Sequence, residues 1–186
     1  MGGNDAKARL KRIIAEKSLI RGDALKLASG ATSKYYFDMK PTMFDPEGAG
    51  LIADLIIAAL AGAKVDLIGG LEMGAVPIVA CVAQRSFPAR PIAGFFVRKQ
   101  PKDHGTQRLI EGTPRGMDMR GKHVALLEDV TTTGGSVMKA VNAVRAEGAV
   151  VETIITIVDR LEGAAANLAR EGLRLVPLIT AVEFDL

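Results

Sequence analysis

The chain has 186 residues, 48% of them hydrophobic, and this length suits one well-packed domain. Its net charge of +3 is small and the basic residues form no long run, so charge gives little support for nucleic-acid binding. The single cysteine, Cys81, excludes a disulfide framework and favours the reducing cytoplasm. We expect no membrane partner, because no apolar run approaches a membrane span and the first residues lack the apolar centre of a signal peptide.

The first 45 residues change character halfway along. Leu10, Ile13 and Ile14 recur at helical spacing among charged residues, which predicts an amphipathic surface helix over 5–17. The stretch 24–40 then holds a Ser-Gly turn and the β-prone run Tyr35-Tyr36-Phe37. These aromatic side chains suit core packing and a platform against a planar ligand equally well.

A glycine-rich corner follows the next helix. Asp45 and Pro46 predict a helix start, with an apolar face over 51–60 and an end at Gly62. A short buried strand over 65–68 then runs into GGLEMG. Ligands bind at the carboxyl ends of strands in parallel sheets, so residues 69–74 are a candidate anion loop, although a plain connection is the other interpretation.

A predicted strand over 91–97 leads into the long polar segment RKQPKDHGTQRLIEGTPRGMDMRGK. The segment has no sustained periodicity, so we expect a loop, and loops this long in compact domains are usually functional or disordered. Its charged residues suit a polyanion, and a solvated basic loop is the alternative. These residues are Arg98, Lys99, Lys102, Asp103, His104 and Arg108.

The stretch 123–136, HVALLEDVTTTGGS, is the clearest functional pattern. Its apolar run predicts a parallel strand buried on both faces, ending at Glu128 and Asp129. The following TTTGGS predicts a tight turn into a helix over 137–146, with backbone amides that form an anion nest. Carboxylates directly before such a nest suit a ribose 5-phosphate, because they accept hydrogen bonds from vicinal hydroxyls. An acidic cap on an ordinary strand–helix unit is the alternative.

The last predicted strands form the other side of the sheet. A β-branched strand over 150–158 ends at Asp159 and Arg160, where the arginine fork can hold a carboxylate or simply pair with Glu162. A helix over 161–171 and an edge strand over 173–181, interrupted by Pro177, complete the chain. These elements predict an α/β fold, with a mostly parallel central sheet flanked by helices and a polyanion-and-sugar site at one rim.

Four strings together, SKYYFD, RKQPKDHG, EDVTTTGGS and VDR, resemble the type I phosphoribosyltransferases over nearly the whole chain. EDVTTTGGS alone resembles only the superfamily that uses 5-phosphoribosyl 1-pyrophosphate (PRPP), whereas KDHG and VDR together with the aromatic segment point to the orotate phosphoribosyltransferases. The resemblance implies Mg²⁺-dependent transfer of the phosphoribosyl group from PRPP to orotate, a step of pyrimidine synthesis that releases pyrophosphate. It also implies one domain over 1–186, with a small N-terminal hood about 1–45. A mobile catalytic loop about 99–120 would complete the neighbour's site in a homodimer.

The resemblance assigns the site residues by substrate. Catalysis is assigned to Lys102, Asp103, His104 and Asp129. PRPP binding is assigned to Arg98, Lys99, Lys102, His104, Glu128, Asp129, Val130, Thr131, Thr132, Thr133, Gly134, Gly135 and Ser136. Orotate binding is assigned to Lys26, Tyr36, Phe37, Thr132 and Arg160. No residue is assigned to Mg²⁺, which PRPP oxygens and water would mainly hold.

Two departures and two alternatives accompany this interpretation. Ala28 stands where some members have a lysine, which leaves Lys26 as the nearest substitute. Glu72-Met73 stands where some have Tyr-Lys, which removes one cation expected near pyrophosphate.

A purine-base phosphoribosyltransferase would share EDVTTTGGS but would have no need of Arg160. A PRPP-sensing regulator that binds nucleic acid would show a basic face or an added DNA-binding segment.

Overall fold

The computed structural model of the protein describes residues 3–26, 32–101 and 109–186. The α-helices in these residues are α1 (Gly3–Lys17), α2 (Lys40–Met43), α3 (Pro46–Ala59), α4 (Ala75–Ser86), α5 (Gly135–Ala146) and α6 (Ala164–Arg170). The strands are β1 (Leu19–Lys26), β2 (Thr32–Phe37), β3 (Leu67–Gly69), β4 (Ala93–Gly94), β5 (Phe96–Val97), β6 (Ile110–Glu111), β7 (His123–Thr131), β8 (Val150–Asp159) and β9 (Arg174–Thr180). A short 3₁₀-helix covers Ala181–Phe184.

The central sheet has five strands in the order β4-β3-β7-β8-β9, and every neighbouring pair is parallel. This confirms the predicted α/β fold with a parallel central sheet flanked by helices. Since all the strands point the same way, the carboxyl ends of β3, β7 and β8 meet at one edge. Pro177 is tolerated because β9 is an edge strand, as predicted.

Both faces of the sheet are covered by helices. Successive side chains of a strand point to opposite faces, so β7 buries Ala125 and Leu127 on one side and Val124 and Leu126 on the other. The first apolar cluster includes side chains of α1, α3 and α4, and the second includes side chains of α5 and α6. This double cover explains why β7 is apolar without alternation until its acidic end.

Helix starts follow the capping chemistry in the sequence. Asp45 caps α3 as predicted, because its Oδ1 accepts a hydrogen bond from the Gly48 amide at 2.9 Å and Pro46 occupies the first turn. The first predicted helix begins two residues early, at Gly3, and α5 begins at Gly135 rather than residue 137. The predicted helix over 161–171 is shorter, covering only α6.

The N-terminal region contains a strand pair that the sequence only half predicted. β1 and β2 form a separate antiparallel two-stranded sheet with Leu19 opposite Phe37. β1 was missed because Gly22 and Asp23 interrupt its apolar pattern, and pairing with β2 creates the strand. The Phe37 ring packs against Phe184 with centroids 5.2 Å apart, so this aromatic side chain belongs to the core.

Two predicted boundaries are wrong for the same reason, namely hydrogen bonding to a distant segment. β7 does not end at Glu128 and Asp129 but continues to Thr131, because β8 extends to Asp159 and pairs with it. The predicted loop after residue 97 contains β6, which pairs antiparallel with β5. A two-residue strand leaves no periodic signal in the sequence. The predicted strand over 91–97 is divided between β4, which joins the central sheet, and β5, which leaves it.

None of the helices in the described ranges is both long enough and apolar enough to cross a membrane.

Candidate active site

A cavity of about 380 Å³ opens at the carboxyl edge of the sheet, where β3, β7 and β8 end. It is lined by Tyr36, Phe37, Leu71, Glu72, Met73, Gly74, Lys99, Glu128, Asp129, Val130, Thr132, Ser136 and Arg160. A larger cavity of about 560 Å³ lies at the opposite edge, beside His123 and Glu152. Volume does not identify the site. The site is identified by buried polar groups that converge on one cavity, and such groups are found at the carboxyl edge of the sheet.

The acidic pair at the end of β7 carries the strongest electrostatic signal. Glu128 is only 8% exposed, and its Oε2 is buried with no hydrogen-bond partner among the described residues. Burial, followed by the neighbouring Asp129 charge, raises the pKa of Glu128 to about 8. Burial also raises the pKa of Asp129, whereas the Val130 amide and the Lys40 ammonium oppose that rise. A buried carboxyl oxygen without a partner is a place where a ligand hydroxyl can donate.

The turn after β7 has the form of an anion nest. Gly134 adopts a φ of +85°, which side chains rarely tolerate, and it caps α5 without any side-chain hydrogen bond. The first amides of α5 are therefore available to an anion. Thr132 and Ser136 face the cavity. Thr131 is buried and its Oγ1 donates to Asp159 Oδ1 at 3.3 Å.

The turn over 69–74 presses against the acidic strand. A Cβ atom at Gly70 would lie 2.3 Å from the Leu127 carbonyl oxygen, and one at Gly74 would lie 2.7 Å from the Asp129 carboxylate. Glycine at these two positions lets the turn approach β7 without displacing it. The turn also presents Glu72 and Met73 to the cavity, and Met73 is 67% exposed.

Arg160 forms the opposite wall. Its guanidinium carbon lies 4.5 Å from the centre of the Tyr35 ring, so the hairpin β1–β2 packs on it. Its Nη2 donates to Ser33 Oγ at 3.1 Å and pairs with Glu162 Oε1 at 2.8 Å. The predicted pairing with Glu162 is thus present, while Arg160 also lines the cavity and keeps a buried Nε without a partner in the described residues.

The structure brings together many, but not all, of the residues that the resemblance assigned. Those that line the cavity are Tyr36, Phe37, Lys99, Glu128, Asp129, Val130, Thr132, Ser136 and Arg160. Those that do not line it are Arg98, Thr131, Thr133, Gly134 and Gly135. Arg98 instead pairs with Glu111 at 3.3 Å. The side chain of Lys26 and the whole of Lys102, Asp103 and His104 lie outside the described residues.

Sequence reasoning missed the role of Lys40, and it named the 69–74 turn without the contacts that Gly74 and Glu72 make in it. Lys40 pairs with Asp38 at 2.5 Å and opposes the rise in the Asp129 pKa, so its charge reaches the site. Gly74 makes room for the Asp129 carboxylate, and Glu72 forms part of the wall. The position of Lys40 directly after YYFDM was the available signal. The glycine-rich pattern marked Gly74 as part of a candidate anion loop, but its contact with Asp129 leaves no local signal, because the two residues are 55 positions apart in the chain.

This combination of a parallel sheet, a buried acidic pair and an anion nest is that of a phosphoribosyltransferase. The family model described as the phosphoribosyl transferase domain matches residues 44–174. The orotate phosphoribosyltransferase of Bradyrhizobium diazoefficiens is 52% identical over 185 residues, which cover 99% of this chain and 98% of that protein.

Solved structures agree. The orotate phosphoribosyltransferase of Mycobacterium tuberculosis in complex with Fe(III) dicitrate superposes with a TM-score of 0.84 at 35% identity, covering 97% of this chain and 99% of that one. The structure of that enzyme in complex with PRPP gives a TM-score of 0.81 at 32% identity, with the same coverage. The chain belongs to the orotate phosphoribosyltransferase family, which confirms the resemblance found in its sequence.

The raised pKa of Glu128 makes stability depend on pH. Between its ordinary value of 4.5 and about 8, the folded protein keeps a proton that the unfolded chain releases. The free energy of unfolding therefore falls as pH rises through this range, by about 1.4 kcal/mol for each pKa unit at most. Glu128→Gln cannot titrate, so we expect its Tm to exceed that of the wild type by several degrees at pH 8 and to match it near pH 5.

Thermal denaturation of both proteins at the two pH values measures this difference. Glu147→Gln, at the exposed end of α5, is the matched control and should follow the wild type at both pH values. An equal Tm difference at pH 5 and pH 8 would contradict a titrating Glu128.

Proposed function

We propose that this protein transfers the 5-phosphoribosyl group of PRPP to orotate, giving orotidine 5′-monophosphate and pyrophosphate, in de novo UMP synthesis. The observation that carries the proposal is the buried acidic pair directly before an anion nest, with Arg160 on the facing wall of the same cavity. The names of the curated relatives and the PRPP complex of a solved relative support the same pair of substrates.

PRPP fits the β7 side of the cavity. Glu128 and Asp129 accept hydrogen bonds from the ribose hydroxyls, while the turn over 131–136 holds the 5-phosphate through its amides and hydroxyls. Glu128 is buried and one of its oxygens has no partner among the described residues, so a hydroxyl donor there satisfies that oxygen.

Orotate fits the side formed by the hairpin and Arg160. The guanidinium binds the carboxylate of the base, and Tyr36, which is 42% exposed, flanks the ring. Phe37 supports that wall from the core. Stacking on Tyr35 and the bond to Ser33 hold the guanidinium in one place, which favours recognition of a planar carboxylate.

The reaction forms a bond between orotate N1 and ribose C1 as the C1–O bond to pyrophosphate breaks. Pyrophosphate leaves with the electron pair, and N1 loses its proton. Positive charge develops on the ribose, so the two carboxylates stabilise the sugar and cationic side chains stabilise the leaving group. Lys99 faces the cavity, and Lys102, Asp103 and His104, which lie outside the described residues, are assigned to the same end by the family resemblance.

Mg²⁺ fits this site as an ion held mainly by substrate. Among the described residues no cluster of three or more His, Cys, Asp and Glu side chains could hold a metal. PRPP oxygens and water would supply most of its ligands, and the Asp129 carboxylate is one oxygen donor that the cavity offers. The bound ion would neutralise part of the diphosphate charge.

We extend the proposal to the assembly. The chain acts as one domain over 1–186 with an N-terminal hood about 1–45, and works as a cytoplasmic homodimer. In that dimer the segment about 99–120 completes the neighbour's site. The separate β1–β2 sheet supports the hood, because its Ser33 and Tyr35 contact Arg160 at the cavity wall.

Base dependence tests the reaction directly. With PRPP and Mg²⁺, we expect product from orotate and little or none from uracil, adenine or xanthine, because these bases lack a carboxylate for Arg160. Pyrophosphate release measures turnover with each base. Equal or faster turnover with adenine or xanthine would favour the purine-base alternative, and PRPP binding without turnover would favour a sensor.

Arg160→Ala should weaken orotate binding far more than PRPP binding. Loss of a charge-assisted pair costs about 1.5–3 kcal/mol, which corresponds to roughly tenfold to more than a hundredfold in KM for orotate. Steady-state kinetics with each substrate varied in turn separates the two effects. Arg170→Ala, at an exposed position of α6, is the matched control.

Glu162→Gln separates the two interpretations of Arg160. If the guanidinium binds orotate, freeing it from the 2.8 Å contact with Glu162 should leave the KM for orotate unchanged or lower. If Arg160 only pairs with Glu162, both variants should lose stability and neither should affect orotate. Orotate binding that survives in Arg160→Ala while PRPP binding is lost would overturn the assignment.

Shared sites predict recovery of activity on mixing two inactive variants, Lys102→Ala and Asp129→Asn. In a hybrid dimer one site carries both substitutions and the other carries neither, so exchange of subunits should restore activity. The mixture is assayed against each variant alone, after subunit exchange has been verified with tagged chains. Verified exchange without recovery would mean that each chain completes its own site.

A further inference from the structure

Glu72 joins the turn over 69–74 to the segment that follows β5. Its backbone amide donates to the Val97 carbonyl oxygen at 2.8 Å, and its carboxylate Oε1 accepts from the Lys99 amide at 2.7 Å. The Val97 amide donates to the Gly70 carbonyl oxygen at 2.8 Å. These three bonds hold the two segments side by side, and the side chain of Glu72 extends the contact by two residues beyond Val97.

A carboxylate at this position has a cost for the function proposed above. The cavity already contains Glu128 and Asp129, and it is to receive a diphosphate. A further negative charge repels that ligand and does nothing to hold it. Glu72 therefore has no use as a direct ligand of the anion, and its hydrogen bond to the Lys99 amide is the contribution that remains.

Lys99, whose backbone amide donates to Glu72, also brings a cation to the cavity. In the part of the chain that the structure describes, Lys99 and Arg160 are the basic residues that line the cavity, and Arg160 is already paired with Glu162. The Lys99 ammonium is close enough to the acidic pair to oppose the rise in the Glu128 pKa that burial causes. Met73 supplies no charge to the same turn.

We propose that Glu72 is a positioning residue for PRPP binding, which fixes the backbone of Lys99 so that its ammonium faces the pyrophosphate end of the cavity. The turn over 69–74 contains no cation of its own. It thus contributes to holding the diphosphate through Lys99, which lies in the adjacent segment of the same chain. The inference rests on the proposed use of PRPP and deepens it by naming the residue that sets the position of the cation.

The test separates the oxygen of Glu72 from its charge. Glu72→Gln keeps an acceptor for the Lys99 amide and removes the negative charge. Glu72→Ala and Glu72→Met, whose side chain is longer than that of alanine, both remove the acceptor.

We expect the Kd for PRPP with Mg²⁺, measured by calorimetry, to rise about tenfold in the Ala and Met variants, as loss of a charge-assisted hydrogen bond predicts. In Glu72→Gln it should stay equal to the wild-type value or fall, because a like charge is gone.

A double-mutant cycle with Lys99→Ala identifies the route. If Glu72 acts through Lys99, adding Glu72→Ala to Lys99→Ala should change the Kd little beyond that of Lys99→Ala alone. Additive losses would overturn the proposal, as would Ala, Met and Gln variants that all bind PRPP alike. Glu147→Ala, at the exposed end of α5, is the control variant and should bind PRPP as the wild type does.

The binding readout also separates this inference from the proposed function. If the wild type binds PRPP but transfers the sugar to a base other than orotate, the functional proposal fails while the Glu72 variants still decide the positioning role. If the wild type does not bind PRPP with Mg²⁺, both are overturned.

Discussion

The burial of Glu128 at the end of the central strand is the constraint on which the site depends. β7 lies between β3 and β8 and is covered on both faces, so its acidic end enters the cavity with little water around it. Burial and the Asp129 charge both disfavour ionisation of Glu128. Hydroxyl donors and nearby positive charge both favour the carboxylate. In the proposed reaction, the pair therefore becomes a better partner for the ribose ring as positive charge develops on that ring.

The site exists because three chain segments approach closely at the end of β7. The turn over 69–74 reaches the strand only where Gly70 and Gly74 replace side chains, since a Cβ at either position would overlap Leu127 or Asp129. Glu72 then carries the contact on to Lys99. On the other side, β8 pairs with β7 up to Asp159 and places Arg160 across the cavity. Each wall thus depends on pairing between residues far apart in sequence.

Charged side chains are distributed unevenly around the cavity, and their positions favour some bases over others as the substrate. The described walls combine the Glu128–Asp129 pair with Lys99 on one side and a clamped Arg160 on the other. A neutral purine offers no carboxylate to the guanidinium, whereas the carboxylate of orotate can compete with Glu162 for it. The 69–74 turn contains no cation, so in the proposed PRPP complex basic groups from elsewhere in the chain balance the diphosphate.

Much of the fold and part of the site followed from local pattern. The capping of α3 by Asp45, the buried run of β7 and the strand-to-helix turn at Gly134 are short-range features, because each depends on neighbouring residue types. The conjunction of the strings SKYYFD, RKQPKDHG, EDVTTTGGS and VDR identified the family for the same reason. The position of β1 and the presence of β6 were not readable, since each exists only through pairing with a partner strand.

Contacts between residues far apart in the sequence were determined only by the tertiary structure. The sequence by itself determined which residue types stand at the strand ends, and hence the class of ligand. Tertiary structure decided that Thr131 bonds to Asp159, that Arg98 pairs with Glu111 and that Phe37 packs in the core. It also decided that Gly74 faces Asp129 and that Glu72 holds Lys99. The physical reason is that burial, pKa and hydrogen bonding depend on which segments meet in space, and residue order along the chain does not specify those meetings.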